Sequence, residues 1–144
     1  MADSDDSAVD TLDIDAIRAY LAQTKVSFAI LFGSHARGTA DESSDVDIAL
    51  RFPAEMPENE RFRRRNRIDA ELQEFAVGFV DVSDIESLPT HVAYAAIRDG
   101  TCLVGEEEVV DAYREQVTAA YEAGQNEREQ ARREFIDRLA RGDV

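Results

Sequence analysis

VSFAILFGSHARGTADESSDVDIAL, residues 26–50, decides how the rest of the chain is read. Its first eight residues, 26–33, form a continuous apolar run with β-branched and aromatic members that stops abruptly at Gly33. Such a run reads as a strand buried on both faces. Its last six residues alternate, with Val46, Ile48 and Leu50 facing one way and Asp45, Asp47 and Ala49 the other. That is a second strand with one charged face. Between them, Gly33-Ser34 stands where a buried strand gives way to the short segment SHARG, and Gly38 lets the chain turn back toward the aspartates. Glycine lets a phosphate approach free backbone N–H groups with no Cβ in the way, and Ser34 adds a hydroxyl donor.

Asp-x-Asp alone carries no weight in this chain, which also contains Asp3-Ser4-Asp5 and Asp13-Ile14-Asp15. The pair Asp45 and Asp47 differs because strand alternation projects both carboxylates from one face, about 7 Å apart along the strand. If they converge to about 4 Å at an effective dielectric near 20, they repel by roughly 4 kcal/mol, so a converging pair calls for a cation or a shared proton. Hard divalent ions such as Mg2+ are held by one or two carboxylates together with substrate phosphates.

Outward from this stretch, Leu12, Ala16, Ile17, Tyr20 and Leu21 recur at helical steps, giving a helix from Thr11 to near Thr24. The segment PAEMPENE, 53–60, reads as a turn, and Ile68, Leu72 and Phe75 as a helix stripe. GFVDVSD, 78–84, is a third strand on which Phe79, Asp81 and Ser83 share a face opposite Val80 and Val82. Alternation turns Asp84 away from Asp81, which makes Asp81 the preferred site residue. Residues 90–100 give a short helix with Thr90 as a possible N-cap and Gly100 just past its end. TCLVG, 101–105, is a short strand, and a long C-terminal helix follows, with a bend or break expected at Gly124, Gln125 and Asn126. The layout is an α+β domain, a small mixed sheet packed against helices. Its expected divisions are a frayed acidic N-terminus (1–10), a folded domain (11–105) and a helical segment packed on it (106–144).

Composition narrows the function classes. The 144 residues carry 31 acidic and 16 basic side chains, a formal charge of −15, and Lys25 is the only lysine. That field repels phosphate backbones, so neither general nucleic-acid binding nor adhesion to an anionic membrane is expected. An acid surplus with so little lysine also suits concentrated salt, where self-repulsion is screened. No segment approaches the roughly 20 apolar residues of a membrane span, and the acidic start does not resemble a signal peptide, so the expected location is cytoplasmic. Cys102, the sole cysteine, excludes an intramolecular disulfide and reads as a small buried apolar residue. His35 and His91 are too far apart, with no cysteine partners, to suggest a zinc site. RFRRRNR, 61–67, is a basic island that reads either as a solvated helix face or as a docking patch.

Taken together, LFGSHARGTADESSDVDIAL (31–50), with Asp81 on a later strand, resembles the signature of the polymerase-β-like nucleotidyltransferases. The whole chain is similar to the minimal single-domain members of that superfamily. The resemblance spans about residues 25 to 105 and includes VDVSDIESLPTHVAYAAIRDGTCLV, 80–104. It implies that Asp45, Asp47 and Asp81 ligate two Mg2+ ions, that Gly33 and Ser34 hold the triphosphate of ATP, and that Arg37 pairs with it. It further implies a protein adenylyltransferase that acts as antitoxin to a HEPN-type toxin by AMP transfer to a tyrosine. Two other readings stay open: transfer to a small molecule such as an aminoglycoside, and an antitoxin that acts by binding alone.

Overall fold

A computed structural model describes residues 13–33, 46–76 and 79–142. Helix α1 (Ile14–Ala22) opens on Asp13, whose carboxylate accepts the Ala16 N–H at 3.1 Å, and buries Ile17 and Leu21. It is shorter at both ends than the apolar repeat suggested. Strand β1 (Phe28–Phe32) follows, then β2 (Val46–Arg51). Helix α2 (Glu58–Leu72) begins inside the segment read as a turn, because Pro57 supplies the extended residue ahead of the first turn. A 3-10 turn (Gln73–Phe75), strand β3 (Val80–Asp84), a second 3-10 turn (Ile85–Ser87), helix α3 (Thr90–Asp99), strand β4 (Thr101–Gly105) and helix α4 (Glu107–Arg141) complete the chain.

The strands form one sheet in the order β3-β2-β1-β4. β1 runs antiparallel to both neighbours, and β2 runs parallel to β3. A parallel pair needs a crossover, which α2 supplies. The sheet is therefore mixed, and the fold is the α+β arrangement expected from the sequence. On one face Ile48, Leu50, Val80 and Val82 pack with Ile17 and Leu21 of α1 and Ile68 and Leu72 of α2. On the other, Phe28, Ile30 and Ala49 pack with Ala93 and Ile97 of α3 and Val110, Tyr113 and Val117 of α4. The central β1 feeds both cores, which is why its sequence is apolar without alternation.

β3 lies at the sheet edge, and side chains take up three of its outer backbone groups. The Gln73 amide donates to the Val80 carbonyl at 2.7 Å and accepts the Val80 N–H at 3.0 Å, in place of a neighbouring strand. The Arg65 guanidinium donates to the Val82 carbonyl at 2.7 Å. Covering an edge in this way protects it from pairing with another chain. Gln73→Leu keeps the bulk and removes both bonds, so urea unfolding should show a loss of about 1–3 kcal/mol.

Three expectations change. Thr90 is the first residue of α3, not its cap: Pro89 holds the N-cap position in extended geometry, and its carbonyl accepts from Val92 and Ala93. Cys102 is exposed, because β4 is the other edge strand and its first two residues are uncovered. Helix α4 runs unbroken through Gly124, Gln125 and Asn126. A single glycine costs about 1 kcal/mol in a helix. Here Gln125 donates to the Tyr121 hydroxyl at 2.8 Å and accepts from Arg128 at 2.9 Å, tying the turns on either side together. Among the described residues no helix is long and apolar enough to cross a membrane.

Candidate active site

The sheet face that packs on α3 and α4 changes character along its length. Beneath those helices it is apolar, with Phe28, Ile30 and Ala49. Toward the C-terminal end of β1 and the N-terminal ends of β2 and β3 it presents Asp47 and Asp81 instead. The parallel register pairs Asp47 directly with Asp81, and the antiparallel register pairs Asp47 with Phe32. Neighbouring strands lie about 4.8 Å apart, so the two carboxylates rise side by side from one face. Asp47 is half-buried and Asp81 is exposed.

Gly33 follows Phe32 with φ of +82°, a region L side chains rarely adopt. A Cβ there would lie 2.6 Å from Oδ2 of Asp47. The glycine thus leaves open, on the β1 side of the Asp47 carboxylate, the space that a side chain would fill. Across the sheet the order is Gly33, Asp47, Asp81, and then the free edge of β3.

The structure brings together three of the residues singled out in the sequence: Gly33, Asp47 and Asp81. Asp45, Ser34 and Arg37, as well as His35 and Gly38, lie outside the described residues. Among the described residues no group of three His, Cys, Asp or Glu side chains is placed to hold a metal ion.

Asp84 has another role. Its buried carboxylate accepts from Arg61 Nε at 3.2 Å and from the Glu86 N–H at 3.0 Å, capping the turn that follows β3. The basic island is largely balanced from within. Arg61 pairs with Asp84, Arg64 with Glu60 at 2.8 Å, Arg65 with Asp69 at 3.9 Å and Arg67 with Glu71 at 3.5 Å. Only Arg63 has no acidic partner among the described residues, so the solvated-face reading accounts for most of this charge. His91 is exposed on α3. Cys102 donates to the Val104 carbonyl at 3.3 Å, and partial desolvation pushes its thiol pKa up.

One feature had no signal in the sequence reading. A groove of about 410 Å3 borders Asp81 on the side away from Asp47, walled by Phe62 and Arg65 of α2 and by Leu88. The clue available was Phe62, an aromatic residue set among the arginines of residues 61–67 and 62% exposed in the fold.

A carboxylate pair beside a strand-ending glycine at one end of a small mixed sheet is the candidate site. Residues 15–109 match the polymerase beta nucleotidyltransferase family, and the chain belongs to it. It is a nucleotidyltransferase. No curated protein matches it by sequence. Among solved structures it is similar to a chain of a toxin–antitoxin complex with AMP-PNP, at 21% identity and a TM-score of 0.63, covering 85% of this chain and 96% of that one. It is similar to a chain of a mutant MntA-HpeT toxin–antitoxin complex, at 20% identity and a TM-score of 0.65, covering 87% and 99%. It is also similar to a chain of the complex between a tri-AMPylated HEPN toxin from Shewanella oneidensis and an MNT antitoxin, at 18% identity and a TM-score of 0.60, covering 86% and 99%. These likenesses establish a shared fold.

Proposed function

We propose that this chain transfers AMP from ATP to a hydroxyl, a tyrosine of a cognate HEPN-type toxin, and thereby acts as an antitoxin in the cytoplasm. The observation that carries the reading is the line of Gly33, Asp47 and Asp81 across the end of the sheet. The similar solved structures, toxin–antitoxin complexes containing AMP-PNP or an AMPylated toxin, support the choice of nucleotide and partner.

Asp45, Asp47 and Asp81 are the residues to hold magnesium, as two ions. The donors fit: carboxylate oxygens are the ligands a hard divalent cation prefers, and Gly33 keeps the neighbouring space free for phosphate oxygens. When bound, such ions lower the pKa of the attacking hydroxyl and neutralise the departing pyrophosphate. The chain's own contribution is positional. Gly33 and Ser34 bind the triphosphate through backbone N–H groups and a hydroxyl, and Arg37 pairs with it. Asp81 faces the acceptor and takes its hydroxyl proton. The acceptor oxygen then bonds to the α-phosphorus, the bond from that phosphorus to the bridging oxygen of the β-phosphate breaks, and pyrophosphate leaves with the electron pair.

Crystals grown with Mn2+ and AMP-PNP test this assignment. Metal is expected within about 2.0–2.3 Å of carboxylate oxygens of Asp45 and Asp47. An ordered nucleotide with no metal at either residue contradicts it.

A further inference from the structure

Helix α4 outruns the domain it belongs to. Its buried residues, Val110, Tyr113 and Val117, lie in its first third, and every residue from 125 to 141 is exposed. At about 1.5 Å per residue, that stretch is an arm of roughly 25 Å. Helices in proteins take most of their stability from one packed face, and on this arm such a face is uncovered. Phe135, Ile136 and Leu139 cluster near its tip at 48%, 53% and 50% exposure. At its base the helix carries small residues instead, Ala120 and Gly124. A Cβ at Gly124 would meet nothing closer than Arg128 Nη1 at 3.9 Å, so packing within one copy does not require the glycine. Glycine costs about 1 kcal/mol in a helix and lets another backbone come close.

Charge indicates what covers this face. Residues 127–141 hold five arginines and four acids, a balance of +1 in a chain of −15, which leaves −16 on the rest. Two copies therefore repel through their bodies, and the arm is where they approach without that repulsion. Arg132 and Arg133 already pair with Glu129, at 3.0 Å and 3.6 Å, and the near-neutral balance calls for no acidic partner. Shape points the same way. Two arms run antiparallel with Phe135 of each over Gly124 of the other also place Leu139 over Ala120, large residue on small in both directions. Ala120 borders a groove of about 160 Å3 that Leu88, Ala93 and Val117 also line, an apolar seat for the incoming leucine. A reciprocal contact of this kind closes a two-fold dimer. A parallel pairing would set phenylalanine on phenylalanine and leave glycine on glycine.

We propose that the distal half of α4 is a self-association arm, and that a second copy of this chain covers its Phe135, Ile136 and Leu139 face in an antiparallel helix pair. Sedimentation equilibrium of the full chain over a range of concentration and salt tests it. Wild type should show a monomer–dimer equilibrium that tightens as salt rises from about 0.1 M to about 1 M, because repulsion between the bodies is screened. Phe135→Glu with Leu139→Glu should weaken dimerisation roughly a hundredfold, the loss of two buried apolar side chains. Gly124→Leu should raise helix stability in the monomer yet weaken the dimer roughly tenfold through crowding at the crossing. Phe79→Ser, which removes an exposed phenylalanine elsewhere on the surface, should leave the equilibrium unchanged. All these positions lie on exposed or loosely packed surface, and circular dichroism should show each variant folded. Wild type that stays monomeric at every concentration and salt, a dimer that survives both arm variants, or a dimer lost in Phe79→Ser overturns the proposal. Wild type that is monomeric alone, with the double variant losing its HEPN-type partner, overturns it as well and gives the face to that partner.

Discussion

Replacing Asp45 and Asp47 together by asparagine should slow AMP transfer on the order of a thousandfold or more while leaving the fold intact. Asparagine keeps the shape of aspartate and removes the charge by which, on the proposed reading, the pair would hold a cation. Without that cation, both activation of the acceptor and stabilisation of the leaving pyrophosphate would be lost. Stability should move the other way. Asp47 stands directly opposite Asp81 in the parallel register, and like charges so placed destabilise a sheet by roughly 0.2–1 kcal/mol. The apo double variant should therefore unfold at equal or slightly higher urea concentration than wild type, the pattern of residues kept for function at some cost to stability. Toxin silenced by the folded variant at catalytic amounts would show that the carboxylates are not the engine. Silencing only at equal molar amounts would show that binding contributes as well.

Gly33→Ala should damage activity and stability at once. At φ of +82° an L residue carries about 1–2 kcal/mol of backbone strain, and the new methyl would stand 2.6 Å from Oδ2 of Asp47. Asp47 must then turn away from the position it holds beside Asp81. A displacement of about 1 Å at a reacting centre costs on the order of a hundredfold in rate. Transfer kinetics should fall by about that factor, and urea unfolding should show the strain. Gly142→Ala is the matched control. Gly142 also has positive φ, +77°, but nothing lies within 4 Å of where its Cβ would be. It should lose stability without loss of rate.

The core of the fold was legible because its signals are local. The apolar run at 26–33 announces a strand with cores on both faces, and the strict alternation of Val46, Ile48 and Leu50 separates a packed face from one carrying Asp47. The same period put Asp81 and Asp84 on opposite faces, and in the fold Asp81 is exposed while Asp84 is buried against Arg61. What escaped the sequence depends on partners distant along the chain. Gln73 reads as an ordinary helix-end residue, and only the packing of α2 on the sheet brings its amide to the backbone of Val80. Helix α4 continues through Gly124, where side chains bridging the turn offset part of one unfavourable propensity. The charge of the arginine island could be counted from sequence, but not its pairing, because Asp84 lies 23 residues from Arg61. The groove beside Asp81 exists only once α2 and β3 are in place.

The most direct test of the central claim is the fate of each phosphate. Purified chain, Mg2+ and the cognate HEPN-type partner are incubated with ATP labelled in one sample at the α-phosphate and in another at the γ-phosphate, and the partner is then separated under denaturing conditions. The account predicts that the α-label becomes covalently attached to the partner, that the γ-label leaves as pyrophosphate, and that Asp47→Asn abolishes both. A γ-label found on the partner, or a partner silenced with no label attached, would contradict it.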